Sequence, residues 1–307
     1  DGFALLELDA AICLRDACYR QPILLLEGFF STEELAIFEQ YHLSAVIHHT
    51  EQIAMLSDSK YHDLDLFVKI NTGMNRLGFS PKDFSAVFQQ LRACPWLNMV
   101  CLMTHFSNAD KPDDPMTAHQ IKQFEQVLNT LDNKTIEKSL ANSAAILAYP
   151  DIHADWIRPG LMLYGVSPFL ASSGTQLALR PVMSLKSEII AINQLKLGDR
   201  VGYSGRWTAE KSIRVGVVAI GYGDGYPHSA ENGTPVLVNG KLVELVGQVS
   251  MDMLTVDLSD LPQSGLGSRV ELWGANVLAS EVAMRAETIP YELFCNLRRA
   301  ERIYLGD

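Results

Sequence analysis

The chain has 307 residues, 48% hydrophobic and 20% charged, the balance of an ordinary globular protein and not of a disordered one. At ~150 residues per domain this gives about two domains, or one α/β barrel with an addition, with enough chain to bury a core without disulfides or metals. Lys plus Arg number 25 against 36 Asp plus Glu, a formal charge of −11, which excludes the basic footprint of a nucleic-acid surface. No apolar run approaches the ~20 residues of a membrane-spanning helix, and no signal sequence opens the chain. Cys13, Cys18, Cys94, Cys101 and Cys295 are scattered and odd in number, which predicts reduced, buried thiols in a cytoplasm and no disulfide framework or thiolate metal site.

Taken in chain order, strands are predicted at Phe3–Leu6, Pro22–Glu27, Ala45–His48, Leu66–Ile70, Met99–His105, Ser139–Asn142 and Gly160–Tyr164. Helices lie between them. Ser31 with Glu34 reads as a capping box, and Ser80-Pro81 and Asp114-Pro115 each read as an N-cap followed by Pro in the first turn. Apolar strands alternating with helices predict a parallel sheet covered on both faces. Eight such units close a (β/α)8 barrel. Seven are legible, the chain starts at Asp1 without Met, and an apolar run opens almost at once, so the expectation is a barrel whose first βα unit precedes Asp1. The alternative is an open, doubly wound sheet, disfavoured by the regular spacing and the lack of a Gly-rich nucleotide turn.

After about Pro181 the texture changes to strands at Val215–Ile220, Pro235–Val238, Lys241–Val246, Leu254–Leu258 and Val270–Trp273. Asn239-Gly240 between two apolar runs signals a type I′ hairpin. Helical pieces are expected around Glu281–Glu287 and Tyr291–Arg298. The predicted organisation is therefore a barrel over 1–180 and a mainly β domain over 181–307.

In a barrel, chemistry sits at the C-terminal strand ends. Those ends carry Lys69 to Arg76, His105, Asn142-Ser143 and Arg158-Pro159-Gly160. A single strand-end histidine is more often a hydrogen-bonded core residue than a catalyst. Cations, a hydroxyl, an imidazole and a glycine at successive ends instead suit an anionic phosphate ester better than a metal. His48 and His49 alternate across a strand and cannot chelate one ion. Metalloprotease, hydrolase-elbow and phosphate-loop motifs do not occur. Gly221 to Pro227 reads as a tight turn after a strand.

Six segments resemble those of the alanine racemase family, in the family's order: Lys69-Ile-Asn-Thr-Gly-Met-Asn-Arg-Leu-Gly78, Thr104-His-Phe-Ser-Asn-Ala-Asp110, Ile157-Arg-Pro-Gly-Leu-Met-Leu-Tyr-Gly165, Val201-Gly-Tyr-Ser-Gly205, Ala219-Ile-Gly-Tyr-Gly-Asp-Gly-Tyr226 and Ser250-Met-Asp-Met253. The resemblance implies a pyridoxal-phosphate isomerase that interconverts L- and D-alanine by two-base α-proton exchange, for peptidoglycan or for alanine catabolism. It implies that Tyr203 is the acid/base on the L-face. A free phenol titrates near ~10, so cationic or hydrogen-bonding neighbours must favour its phenolate, and His105 and Arg158 resemble those neighbours. Arg158 would face the pyridine nitrogen and disfavour pyridinium. Ser143, Gly160 and Tyr291 would hold the phosphate, and Arg76 and the Met251 backbone the substrate carboxylate or a cofactor oxygen. Tyr222 and Asp252 resemble residues lining the pocket and its entrance, and Lys69 resembles a lysine that is carbamylated in family members. In this family the tyrosine and methionine act on the neighbouring subunit's barrel, so a homodimer is implied.

One departure matters. The family's Schiff-base lysine lies in a Val-Lys-Ala-Asn-Ala-Tyr-Gly-His-Gly motif on the first barrel strand, and no such motif occurs in this sequence. This agrees with the unit count, and the expectation is that the N-terminal segment with that lysine lies outside residues 1–307. The other readings are a truncated racemase that only binds ligand, and a broader-specificity amino-acid racemase.

Overall fold

The structure, a computed structural model, describes residues 1–58, 64–94, 98–131, 136–169 and 172–306. The chain divides into two compact units, Asp1–Gly160 and Leu161–Asp307.

The first unit strictly alternates β1 (Phe3–Leu5), α1 (Leu8–Asp16), β2 (Ile23–Leu25), α2 (Glu34–Gln40), β3 (Ser44–Ile47), α3 (Thr50–Asp58), β4 (Asp65–Lys69), α4 (Phe84–Arg92), β5 (Asn98–Met103), α5 (Met116–Asn129), β6 (Glu137–Asn142), α6 (Ser143–Ala148) and β7 (Trp156–Arg158). The seven strands are all parallel and neighbour one another in sequence order. A doubly wound sheet requires the order to reverse at a switch point. This one never reverses, so the barrel reading holds. Leu24, Val46, Phe67, Cys101 and Met103 form a buried cluster on the sheet, with Leu26 and Trp156 packed against it. Helices cover the other face through apolar stripes, such as Phe84, Val87 and Leu91 on α4. Each such side chain contributes roughly 1.5–3 kcal/mol on full burial.

The capping signals met different fates. The Asp114 carboxylate accepts the Met116 N–H at 2.8 Å at the start of α5, as read. The Ser80 hydroxyl donates to the Asp83 carboxylate and accepts the Asp83 N–H, capping a turn that leads into α4. The Ser31–Glu34 box is not formed as read, because the Glu34 carboxylate accepts from the Phe30 N–H at 2.7 Å. The seventh strand also needs correction. It is Trp156–Arg158, and Leu161–Tyr164 is a single 3-10 turn. Pro159 lacks the N–H needed to extend the ladder, so pairing stops there.

In the second unit, β8 (Leu185–Leu195), β11 (Ile213–Val218), β12 (Pro235–Val238), β13 (Lys241–Glu244), β14 (Leu254–Asp257) and β15 (Arg269–Trp273) form an antiparallel sheet in the order β13-β12-β15-β8-β11-β14. A bridge between Leu245 and Val256 joins its two ends, curling it around a core that includes Val236, Val256, Leu272 and Trp273. A small ribbon pairs β9 (Arg200–Val201) with β10 (Trp207–Thr208). Asn239 and Gly240 take φ of 48° and 81° between paired Val238 and Lys241, both left-handed, as a type I′ turn demands. Helices α7 (Ala279–Arg285) and α8 (Pro290–Cys295) follow. Of the cysteines expected to be buried, only Cys94 and Cys101 are; Cys13, Cys18 and Cys295 are exposed. Among the described residues no helix is long and apolar enough to cross a membrane.

Candidate functional site

The strand ends of the first unit place the predicted rim residues close together. Beyond β4 the chain makes a tight excursion through Asn71–Gly78 and returns to bridge Phe79 with Ile70. The Asn71 side chain organises it by accepting the Gly73 and Asn75 N–H groups. Gly78, at φ 116°, lies so near Lys69 and Asn71 that a Cβ would sit 2.9 Å from their backbone atoms. Lys69, Thr72, Arg76 and His105 border one cavity of about 10 Å3, room for a single water. The Lys69 pKa is lowered to about 8, by burial first and then by the cations Arg76 and Arg158, with Glu27 acting in the opposite direction.

Arg158, at the end of β7, is held by neutral acceptors. Its Nη1 donates to Ser139 Oγ at 2.5 Å, and its Nη2 donates to Thr104 O at 2.5 Å and Leu140 O at 3.3 Å, with His105 Nδ1 at 3.4 Å. Burial brings its pKa down to about 10, which leaves the guanidinium charged at neutral pH. Because guanidinium can only donate, His105 Nδ1 is an acceptor and the ring proton belongs on Nε2. The His105 pKa is lowered to about 3, by burial first and then by Arg158, Arg76 and Lys69. The imidazole is therefore neutral at physiological pH.

At the next two strand ends, Ser143 Oγ accepts the Gly160 N–H at 2.9 Å. Ser143 opens α6, whose N-cap Asn142 accepts the Ala145 N–H. Among the described residues, Lys69, Arg76 and Arg158 take part in no ion pair. Three cations without an anionic partner, beside a hydroxyl and a backbone N–H, form a donor set complementary to a phosphate ester carrying a carboxylated substrate.

The remaining predicted residues belong to the second unit. Tyr203 starts a single 3-10 turn and is 72% exposed; Met251 is 53% exposed. Tyr222 and Met251 lie on adjacent loops tied by Tyr222 N–H to Ser250 O (3.0 Å) and Gly223 N–H to Met251 O (2.8 Å). As read from the sequence, the Gly221–Pro227 stretch is a tight turn after a strand. Arg299 bridges the same two loops, with Nη2 2.7 Å from Asp252 Oδ1 and Nε 3.4 Å from Asp224 Oδ1. Tyr291 lies on α8 with its ring edge-on to Tyr164, and burial raises its pKa.

Sequence reasoning missed the polar groups beneath the rim: Thr72, Thr104, Ser139 and Gln120. Gln120 carried a readable signal. It is fully buried on the stripe of α5 that also holds Thr117, Phe124 and Val127, and a long amide on an apolar stripe requires hydrogen-bond partners inside.

The fold thus joins, in one chain, a parallel barrel unit with a cationic rim at its strand ends and an antiparallel β unit. Comparison with known proteins sharpens this. Residues 1–168 match the family described as "Alanine racemase, N-terminal domain" and residues 182–304 match "Alanine racemase, C-terminal domain". An alanine racemase of Nitrosomonas eutropha is 53% identical over 301 residues, 97% of this chain and 82% of that protein. The solved structure of the biosynthetic alanine racemase from Pseudomonas aeruginosa superposes with a TM-score of 0.92 at 43% identity, over 97% of this chain and 83% of that one. The alanine racemase from Bartonella henselae with covalently bound pyridoxal phosphate superposes with a TM-score of 0.87 at 25% identity, over 99% and 85% of the two chains. The chain belongs to the alanine racemase family.

Proposed function

We propose that the protein is an isomerase that interconverts L- and D-alanine by α-proton exchange, with pyridoxal phosphate as cofactor. The observation that carries the cofactor reading is the pair of guanidinium groups Arg76 and Arg158, which take part in no ion pair among the described residues, beside the Ser143–Gly160 pair. Ser143 Oγ, the Gly160 N–H and Tyr291 would hold the phosphate. When bound, the cofactor supplies an electron-accepting ring that renders the alanine α-proton acidic. Arg158 would face the ring nitrogen, where a fixed cation keeps that nitrogen unprotonated and limits competing reactions. Arg76 and the Met251 backbone would hold the substrate carboxylate or a cofactor oxygen. Tyr203 would take or return the proton on the L-face, with neutral His105 offering its Nε2–H to the phenolate. Tyr222 and Asp252 would line the pocket and its entrance.

Tyr203 and Met251 extend into solvent from their own unit, which suits residues that complete the site of a neighbouring copy. The proposed assembly is a cytoplasmic homodimer, with residues 1–180 as the cofactor-binding barrel and 181–307 reaching into the partner's site. Its D-alanine would serve peptidoglycan synthesis, or its reverse reaction alanine catabolism. Lys69 would carry a carbamate, which forms on a neutral amine, and a pKa of about 8 leaves an appreciable neutral fraction. No lysine of residues 1–307 is given the role of holding the cofactor's aldehyde.

The test is D-alanine formation from L-alanine by the full-length protein, with and without added pyridoxal phosphate, beside serine and lysine as substrates. PLP-dependent turnover that prefers alanine is expected and is lost in Tyr203→Phe. Equal rates on all three substrates would favour a broader racemase. A cofactor-loaded dimer without turnover would leave only ligand binding.

A further inference from the structure

Gln120 links two strand ends of the rim through its one buried amide. The side chain is fully buried on α5, and all its polar capacity is directed at the loops after β4 and β5. Its Oε1 accepts the Ser107 N–H at 3.0 Å and the Ser107 hydroxyl at 3.1 Å. Its Nε2 donates to His105 O at 3.0 Å and to Thr72 Oγ1 at 3.1 Å. The amide cannot flip, because the Ser107 N–H only donates and His105 O only accepts.

The directions beyond Gln120 are equally fixed. Thr104 Oγ1 donates to Ile70 O at 2.9 Å. The 2.7 Å contact between Thr72 Oγ1 and Thr104 Oγ1 must then carry the Thr72 proton. A single-direction chain results, from Gln120 through Thr72 and Thr104 to Ile70, the residue that follows Lys69. One amide thus fixes the carbonyl of His105, the N–H two residues later, and the hydroxyl at the base of the loop bearing Arg76. Gln120, Thr72 and Thr104 are buried and His105 is half-buried, while Ser107 is exposed; each buried donor or acceptor would cost about 1–3 kcal/mol if left unpaired.

We propose that Gln120 is the positioning residue of the rim, holding the His105 imidazole against Arg158 and coupling it to the Lys69–Arg76 loop. This rests on the racemase reading, in which His105 supports Tyr203 on the L-face only. Displacing His105 should therefore slow proton transfer on one face and spare the other, whereas general loosening of the barrel would affect both.

Two variants test it. Gln120→Met keeps length and removes every polar contact. Gln120→Glu keeps one acceptor but turns a second oxygen towards His105 O, so it functions only when protonated. For Gln120→Met, kcat is expected to fall about tenfold or more with the alanine KM within about twofold of wild type. The α-deuterium isotope effect should grow from L-alanine and not from D-alanine. Gln120→Glu should share the defect near about pH 8 and regain activity relative to wild type towards about pH 6, as a buried carboxyl takes up its proton. A readout without turnover is the NMR titration of His105, which faces Arg158, Arg76 and Lys69. In Gln120→Met its midpoint should rise by about one unit or more as the ring leaves its buried place.

Unchanged isotope effects in both directions, or an unmoved His105 midpoint in a folded variant, would overturn the proposal. If Gln120→Met fails to fold, Gln120→Glu decides: activity relative to wild type that is flat with pH counts against it. If wild type does not racemise alanine, the functional reading fails, and the His105 titration alone decides the role of Gln120.

Discussion

Acidification should destabilise the barrel unit through His105. In an unfolded chain this imidazole titrates near ~6.5, whereas in the folded protein its pKa is about 3 because the ring is buried and three cations face it. Between those values the unfolded state binds a proton that the folded state refuses. The stability is fully present above about pH 6.5 and falls as pH drops, by up to ~1.4 kcal/mol per unit, until about pH 3. From about pH 8 to about pH 5 the loss amounts to about 2 kcal/mol. Other groups titrate in the same window, including His48, whose pKa burial also lowers. The assay is therefore a difference: urea unfolding of wild type and His105→Asn at several pH values, since asparagine can still accept from Arg158. The stability of wild type relative to the variant should fall by about 2 kcal/mol across that window. A difference independent of pH would mean that the ring protonates as readily folded as unfolded, and that burial and the three cations do not act on it.

Further outcomes follow from other particulars. Arg299→Ala removes an exposed, solvent-screened bridge, so the melting point should move by only a few degrees, while the alanine KM rises about threefold as the Tyr222 and Met251 loops loosen; steady-state kinetics and calorimetry check both. Gly240→Ala forces a Cβ onto a residue at φ 81° and should cost about 1 kcal/mol in chemical denaturation; no loss would mean that the turn is not type I′. Borohydride reduction after incubation with pyridoxal phosphate should leave Lys69 unlabelled, and 13C-bicarbonate should give a carbamate resonance that Lys69→Gln abolishes. A stoichiometric pyridoxyl group on Lys69 would overturn its assignment.

The sequence announced those parts of the fold that local chemistry dictates. Asp114-Pro115 and Asn239-Gly240 restrict the backbone to one geometry each, and both stand as read. Strand β8 went unread because Leu-Lys-Ser-Glu-Ile-Ile-Ala-Ile-Asn-Gln-Leu does not alternate cleanly. It lies at the middle of its sheet between β15 and β11, with only Leu185 and Ile189 fully buried. Its place is set by two partners distant in sequence, which no local pattern encodes. At the rim, the strand-end reading located Lys69, His105, Ser143 and Arg158, because a barrel aligns those ends whatever lies between. The network below them was not legible, since the roles of Thr72, Thr104 and Gln120 depend on contacts across 32 and 48 residues. The role proposed for Tyr203 came from the motif resemblance alone, because no local pattern around it encodes a partner.

The reaction proposed for the rim is α-proton exchange on alanine with the cofactor bound. The most direct measurement is proton NMR of L-alanine in D2O with the full-length protein and pyridoxal phosphate, followed by chiral analysis of the product. The α-proton signal should disappear and D-alanine accumulate together, only with cofactor, and neither should occur with Tyr203→Phe. An α-proton that persists while the protein holds stoichiometric cofactor would contradict that reaction.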